Sequence, residues 1–133
     1  MGYRSSVKIA FVFKDELVRD TFFIAAMEQA KEKIPNLVND AWFDESFTHC
    51  TINNYPVTLF EADDIKWYDG FPTIAFIEDE MRAECVKRGG GWAFIRVGEE
   101  SDDIEQESDH HDNFDDFSAW DYLYTSTEIH INT

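Results

Sequence analysis

The sequence predicts an α+β domain in which two amphipathic helices lie on one face of a mostly antiparallel sheet. Three observations carry this. Short segments of two-residue alternation recur along the chain, two longer segments repeat apolar residues every three or four positions, and the two kinds interleave as strand, helix, strand, strand, helix, strand, strand. With 44% hydrophobic and 16% aromatic residues, a chain of 133 has the apolar surface for a single core, so one domain over 1–133 is expected.

Val7, Ile9, Phe11 and Phe13 alternate with Lys8, Ala10 and Val12, so one face is wholly apolar and the other mostly so, as in a central strand. Asp15 is placed to cap a helix that runs to about Ile34, with Phe23, Met27, Ala30 and Ile34 as its apolar stripe and Pro35 as its end. After a polar connection, Thr48, Cys50 and Ile52 alternate with Phe47, His49 and Thr51. Asn53-Asn54-Tyr55-Pro56 then supplies turn residues before V-T-L-F-E-A, and the two segments read as a hairpin. Pro72 opens a second helix whose buried stripe is Ile74, Ile77, Met81 and Cys85. Lys87 and Arg88 fall in its last turn, where cations suit the helix dipole, and Gly89-Gly90-Gly91 stops it. W-A-F-I-R-V returns as a strand. Leu123, Thr125, Thr127, Ile129 and Ile131, alternating with Tyr124, Ser126, Glu128 and His130, predict a last one. This order contains the split unit of a ferredoxin-like β-α-β-β-α-β sandwich with an additional C-terminal strand.

The net charge of −17 is unevenly placed. Residues 1–96 carry 11 Lys/Arg against 16 Asp/Glu, whereas 97–133 carry 12 Asp/Glu and no Lys or Arg. Such a field repels phosphate backbones and anionic membranes, which argues against direct nucleic-acid binding and against a membrane partner. No stretch approaches a membrane span and the N-terminus lacks the apolar run of a signal peptide, so a cytosolic protein is expected. Cys50 and Cys85 lie 35 residues apart with no C-x-x-C spacing, which fits reduced structural thiols better than a metal or redox pair.

The acidic run from Val97 to Asp121 is read as an excursion, at about 99–121, between two strands that can pair. A calcium loop needs glycine at its sixth position, and no register of the run provides one. A metal-binding protein or metal-dependent enzyme using His110, His111, Asp109 and Asp112 is an alternative, weakened because neighbours on an extended chain point opposite ways. His49 and Cys50, adjacent on a strand, are separated for the same reason, and no nucleophile, zinc-protease or phosphate-loop motif occurs. A non-enzymatic protein without a cofactor is expected.

Ile104, Phe114, Phe117 and Trp120 interrupt the run with apolar anchors that a solvated linker does not need. They can dock the segment on the domain or touch a partner, and the spacing of Phe114, Phe117 and Trp120 admits a short amphipathic helix. Duplex DNA presents about one charge per 1.7 Å of axis, which its binding proteins meet with Lys/Arg-lined grooves. A rigid array of carboxylates can occupy such a groove in place of the nucleic acid. The blander reading is that the charge only keeps a small protein soluble. The residues singled out for binding are Glu99, Glu100, Asp102, Asp103, Glu105, Glu107, Asp109, Asp112, Asp115 and Asp116, with Phe114, Phe117 and Trp120 as anchors. The oligomeric state is left open, with a homodimer among the forms admitted.

The opening M-G-Y-R-S-S-V, the K-W-Y-D-G-F-P before the second helix and the F-I-R-V-G-E-E-S-D-D-I-E at the acidic run resemble small acidic proteins encoded by bacteriophages, over about residues 1–107. The likeness carries no catalytic signature and so transfers no site. It implies a phage protein acting in a bacterial cytoplasm, of a kind that often inhibits host defence or DNA-handling machinery, in some cases by imitating DNA. A virion structural or assembly protein is a further alternative.

Overall fold

The structure, a computed structural model, describes residues 3–34, 42–68, 70–100, 102–115 and 117–118. Its elements are β1 (Ser5–Val12), α1 (Glu16–Lys33), a single turn α2 (Trp42–Glu45), β2 (Phe47–Ile52), β3 (Tyr55–Ile65), α3, β4 (Gly91–Gly98) and β5 (Ile104–His110). Helix α3 starts at Pro72–Ala75, widens to a π-helical Phe76–Met81 and ends as Arg82–Lys87. The five strands form one sheet in the order β2-β3-β1-β4-β5, antiparallel at every junction. The expectation of an α+β domain with two long helices and a mostly antiparallel sheet is met.

Strand β1 lies at the centre because both of its faces can be buried. Val7, Ile9, Phe11 and Phe13 face the helices, meeting Phe22, Ala26 and Ala30 of α1 and Ile74, Ile77, Met81 and Cys85 of α3. Ala10 and Val12 face the other side. The stripe expected on α3 is buried in full, and Phe76 is buried beside Ile77. The π widening lets these sequence neighbours share the inward face, and Arg82 Nε donates to the Glu78 carbonyl within that widened turn (2.8 Å). Gly89, at φ 91°, ends the helix where a side chain would be strained.

On α1 the first half of the stripe is rotated by one residue from the expected one, while Ala30 and Ile34 are buried as expected. Asp15 caps the helix as expected, its Oδ1 accepting from Leu17 N–H at 2.7 Å. Phe22 and Ala26, rather than Phe23 and Met27, occupy the centre of the interface, followed by Ala30. The physical reason is ring packing: Phe22 fits between Phe11 (5.3 Å) and Phe13 (5.0 Å), while Phe23 reaches sideways to Phe47 (5.5 Å) and His49 (4.8 Å) of β2. Asn53 and Asn54, at φ 54° and 69°, form the two-residue turn of the β2-β3 hairpin, a conformation asparagine tolerates.

His49 and Cys50 lie on opposite faces of the sheet, His49 against Phe23 and Cys50 beside Val57. Both cysteines are unpaired thiols, and burial pushes both above the ordinary value, Cys85 well above it.

The largest correction concerns the acidic run. It is not simply an excursion between strands, because Ile104–His110 is itself a strand, hydrogen-bonded along β4 from Val97 to Gly91. A strand that is exposed throughout, outermost in the sheet among the described residues, needs no apolar face of its own, so I-E-Q-E-S-D-H lacked the hydrophobic alternation by which strands are recognised. The strand expected over Leu123–Ile131 lies outside the described residues. Among the described residues no helix is long and apolar enough to cross a membrane.

Candidate acidic interface

A corner, an edge and a buried clasp hold the acidic run in place. At the corner, Gly98 N–H donates to the Asp103 carbonyl (2.8 Å) and Asp103 N–H to the Glu100 carbonyl (3.1 Å), which closes the turn between β4 and β5. Arg96, buried on the helix side of β4, binds both sides of this turn. Its guanidinium reaches Asp103 Oδ1 at 2.7 Å, Glu105 Oε1 at 2.7 Å and Ser5 Oγ at 2.9 Å. The Tyr3 hydroxyl donates to Asp103 Oδ2 (2.6 Å) and accepts from Glu100 N–H (3.2 Å). The Arg96 hydrogen bonds, followed by that of Tyr3, hold the Asp103 carboxyl below the usual carboxylate range. The bond to Asp103 also raises Tyr3, and Asp103 is the first cause of the upward shift at Arg96.

Gly98 is required by this geometry, since a Cβ there would fall on the Asp103 carboxylate and the Tyr3 ring. Both groups are fixed by hydrogen bonds and cannot simply swing aside. Gly98→Ala is therefore expected to lower stability by about 2 kcal/mol, the usual scale of overpacking, in urea unfolding monitored by tryptophan fluorescence.

Along the edge, pairing opposite Arg96, Phe94 and Trp92 puts Glu105, Glu107 and Asp109 on the helix side of β5, with Ile104, Gln106, Ser108 and His110 on the other. Every residue of the strand is exposed. The acids recur about every 6.8 Å, two residues of strand rise. Arg82 lies over the Trp92 ring (4.1 Å) and its Nη1 meets Glu107 Oε2 at 3.4 Å.

Beyond β5 the chain folds under the face of the sheet that carries no helix. His111 N–H donates to the Gly90 carbonyl, and two successive turns follow, Phe114 N–H to the His111 carbonyl (2.9 Å) and Phe117 N–H to the Phe114 carbonyl (3.1 Å). The described part of the stretch where a short helix was admitted is turns, and the rest, with Trp120, lies outside the described residues; the three-residue step still brings both rings to the sheet. Phe114 is fully buried against Ala10, Val12 and Val57, edge-on to Tyr55 (5.2 Å). Phe117 packs on Ala93 and Ile95. Lys14 holds the clasp from outside, its ammonium donating to the Asn113 carbonyl (2.6 Å) and lying 5.1 Å from the Phe114 ring centre.

Of the two roles open to the aromatic anchors, burial gives Phe114 the first: it fastens the segment to the domain and offers no surface to a partner. Phe117 is half-buried in the same clasp. Glu99, Glu100 and Asp102 are exposed at the corner, Glu105, Glu107 and Asp109 along the edge, and Asp112 and Asp115 beyond it, while Asp103 is half-buried. Asp116 and Trp120 lie outside the described residues. The charge is less uncompensated than the sequence of the run implies, because Arg96 and Arg82 pair with Asp103, Glu105 and Glu107. Neither arginine nor Tyr3 was singled out from sequence. Only the alternation that puts Arg96 on the face of Trp92 and Phe94 hinted at a cation turned inward.

The adjacent histidines do not converge. His110 Nδ1 contacts the His111 carbonyl (2.9 Å) with its ring against Phe117 (5.6 Å), and His111 Nδ1 accepts from Asn113 N–H (3.0 Å). Among the described residues, no group of three or more His, Cys, Asp or Glu side chains is placed to hold a metal ion. Comparison with protein-family models, curated proteins and solved structures finds no match to this chain.

Proposed function

We propose that this protein is a non-enzymatic inhibitor of the kind bacteriophages encode, whose acidic edge occupies a basic, nucleic-acid-binding groove of a host protein. The observation that carries this reading is β5 itself, fully exposed and outermost in the sheet among the described residues, with acids on one face, tied at one end by Arg96 and at the other by Phe114. Fixed charges bind a cationic groove without the ordering cost a free tail would incur. The strand is about 20 Å long, over which a duplex carries roughly 12 charges and one strand of it roughly six. Nine described carboxylates sit on β5 and at its ends, with Arg96 and Arg82 among them, so the displayed density is closer to one nucleic-acid strand than to a duplex. Action in the bacterial cytoplasm belongs to the same proposal.

The strand order also supports a finer reading of the fold. With β3 between β2 and β1, and β4 on the other side of β1, the first four strands with α1 and α3 fit a ferredoxin-like β-α-β-β-α-β sandwich. On this reading β5 is a strand added at the β4 edge.

Affinity capture from bacterial lysate tests the function. A retained protein should survive nuclease treatment and elute on raising the salt, and the Asp102→Lys/Asp112→Lys/Asp115→Lys variant should not retain it. Equal capture by that variant, or capture only while nucleic acid is intact, would count against the proposal.

A further inference from the structure

Helix α3 packs over β1 and β4, and β5 extends the sheet beyond it, so the helix side of β5 forms one wall of a trough whose other wall is α3. Its two adjoining hollows measure about 350 and 460 Å³, within the range of ligand pockets, and all their lining residues are among those described. Glu78 and Asp79 line the trough from α3, and Glu105, Glu107 and Asp109 line it from β5, with Trp92 of β4 between them.

The trough already holds one cation of the chain's own. The Arg82 guanidinium lies 4.1 Å from the Trp92 ring centre, its Nε donates to the Glu78 carbonyl and its Nη1 meets Glu107. An aromatic face beneath and carboxylates at the sides is a setting that suits a planar guanidinium. Glu105 is paired with Arg96, and Glu78 accepts from Trp67 Nε1 at 3.1 Å. Asp79 and Asp109, one on each wall, are exposed and form no ion pair among the described residues. All 11 Lys and Arg residues of the chain lie among the described residues, and of these only Arg82 lines either hollow. The cations that complete the trough therefore come from outside the chain.

We propose that the trough takes an extended, arginine-bearing segment of a partner protein, laid along β5 with its guanidinium groups between Asp79 and Asp109. Charge complementarity selects this occupant. The acids of β5 recur about every 6.8 Å, the period at which an extended chain repeats its side chains on one face. The forked guanidinium meets a carboxylate with two hydrogen bonds, which an ammonium cannot do. Such a segment is the part of the basic partner that meets β5, so the assignment rests on the function proposed above.

Titration calorimetry of the full chain with the end-blocked peptide Arg-Gly-Arg-Gly-Arg, and with its lysine counterpart, tests the assignment. Asp79→Asn/Asp109→Asn and Glu28→Gln/Glu32→Gln remove the same charge, the first pair from the trough and the second from exposed positions of α1. We expect the trough variant to lose about tenfold in affinity for the arginine peptide and the α1 variant less than about threefold. The lysine peptide should bind wild type more weakly than the arginine peptide. Equal losses in the two variants would mean attraction by net charge alone and would overturn the proposal, as would a lysine peptide that binds as tightly or an arginine peptide that does not bind. The two readings fail separately. Lysate capture that is lost in Asp102→Lys/Asp112→Lys/Asp115→Lys, with no effect of the trough variant on the peptide, would remove the trough and leave the function standing. Equal capture by that variant, with the peptide lost from the trough variant, would do the opposite.

Discussion

Replacing Phe114 with alanine is expected to lower the unfolding free energy by about 3 kcal/mol, at the low end of the range for buried phenylalanines. The ring is fully buried, and its removal uncovers Ala10, Val12 and Val57 on the face that carries no helix. The low end applies because the segment after β5 can partly collapse onto the vacancy, a relief that a phenylalanine inside β1 does not have. Phe114→Leu, which keeps most of the apolar volume, should cost about 1 kcal/mol. Urea unfolding gives both numbers, and amide exchange adds a second expectation. The N–H of Phe117, bonded to the Phe114 carbonyl, should lose protection in the alanine variant before the amides of β1 do. Equal stability of Phe114→Ala and wild type would mean that the clasp does not hold the acidic segment.

Arg96→Met should cost about 2 kcal/mol. Removing one partner of a fully buried pair costs more, but Asp103 and Glu105 have side chains 32% and 53% exposed and can rehydrate when the guanidinium is gone. Methionine retains the apolar stem beside Phe94, so the loss reports the charge and its hydrogen bonds rather than a cavity. The sign of the pH dependence follows from Asp103, whose carboxyl is held low first by Arg96 and then by Tyr3. A carboxyl with a depressed folded value contributes stability that is present above its unfolded value of about 3.9 and lost as pH falls through the lower folded one. The gap between wild type and Arg96→Met should therefore be full from pH 5 to 7 and narrow below about pH 4. A gap that stays constant into acid would assign the effect of Arg96 to packing.

Where the sequence was legible, the reason was period. The alternation of Val7 to Phe13 placed β1, and the three-and-four spacing of Ile74, Ile77, Met81 and Cys85 placed the buried face of α3. On α1, where Phe22 and Phe23 both lie near the apolar side, the choice between them depends on the rings of Phe11 and Phe13 across the interface, which local spacing does not encode. Strand β5 escaped because acids, Gln, Ser and His have no hydrophobic period, and its pairing is dictated by β4. The candidate site was legible as a stretch of charge and illegible as a geometry. Arg96, Tyr3 and Arg82, which fix and partly neutralise it, come from β4, the N-terminal end of the chain and α3.

This division revises which acids to change. Reversing Asp103 would break the Arg96 corner and confuse folding with binding, whereas Asp102, Asp112 and Asp115 are exposed and form no ion pair among the described residues. The most direct measurement of the central claim is the salt dependence of affinity for a captured partner, made with wild type and with the Asp102→Lys/Asp112→Lys/Asp115→Lys variant, with nucleic acid as competitor. We expect log K to fall steeply with log salt concentration, the variant to bind weakly with a shallower slope, and the partner's nucleic acid to displace the protein. Binding that is insensitive to salt, unchanged in the variant and unaffected by nucleic acid would contradict the account.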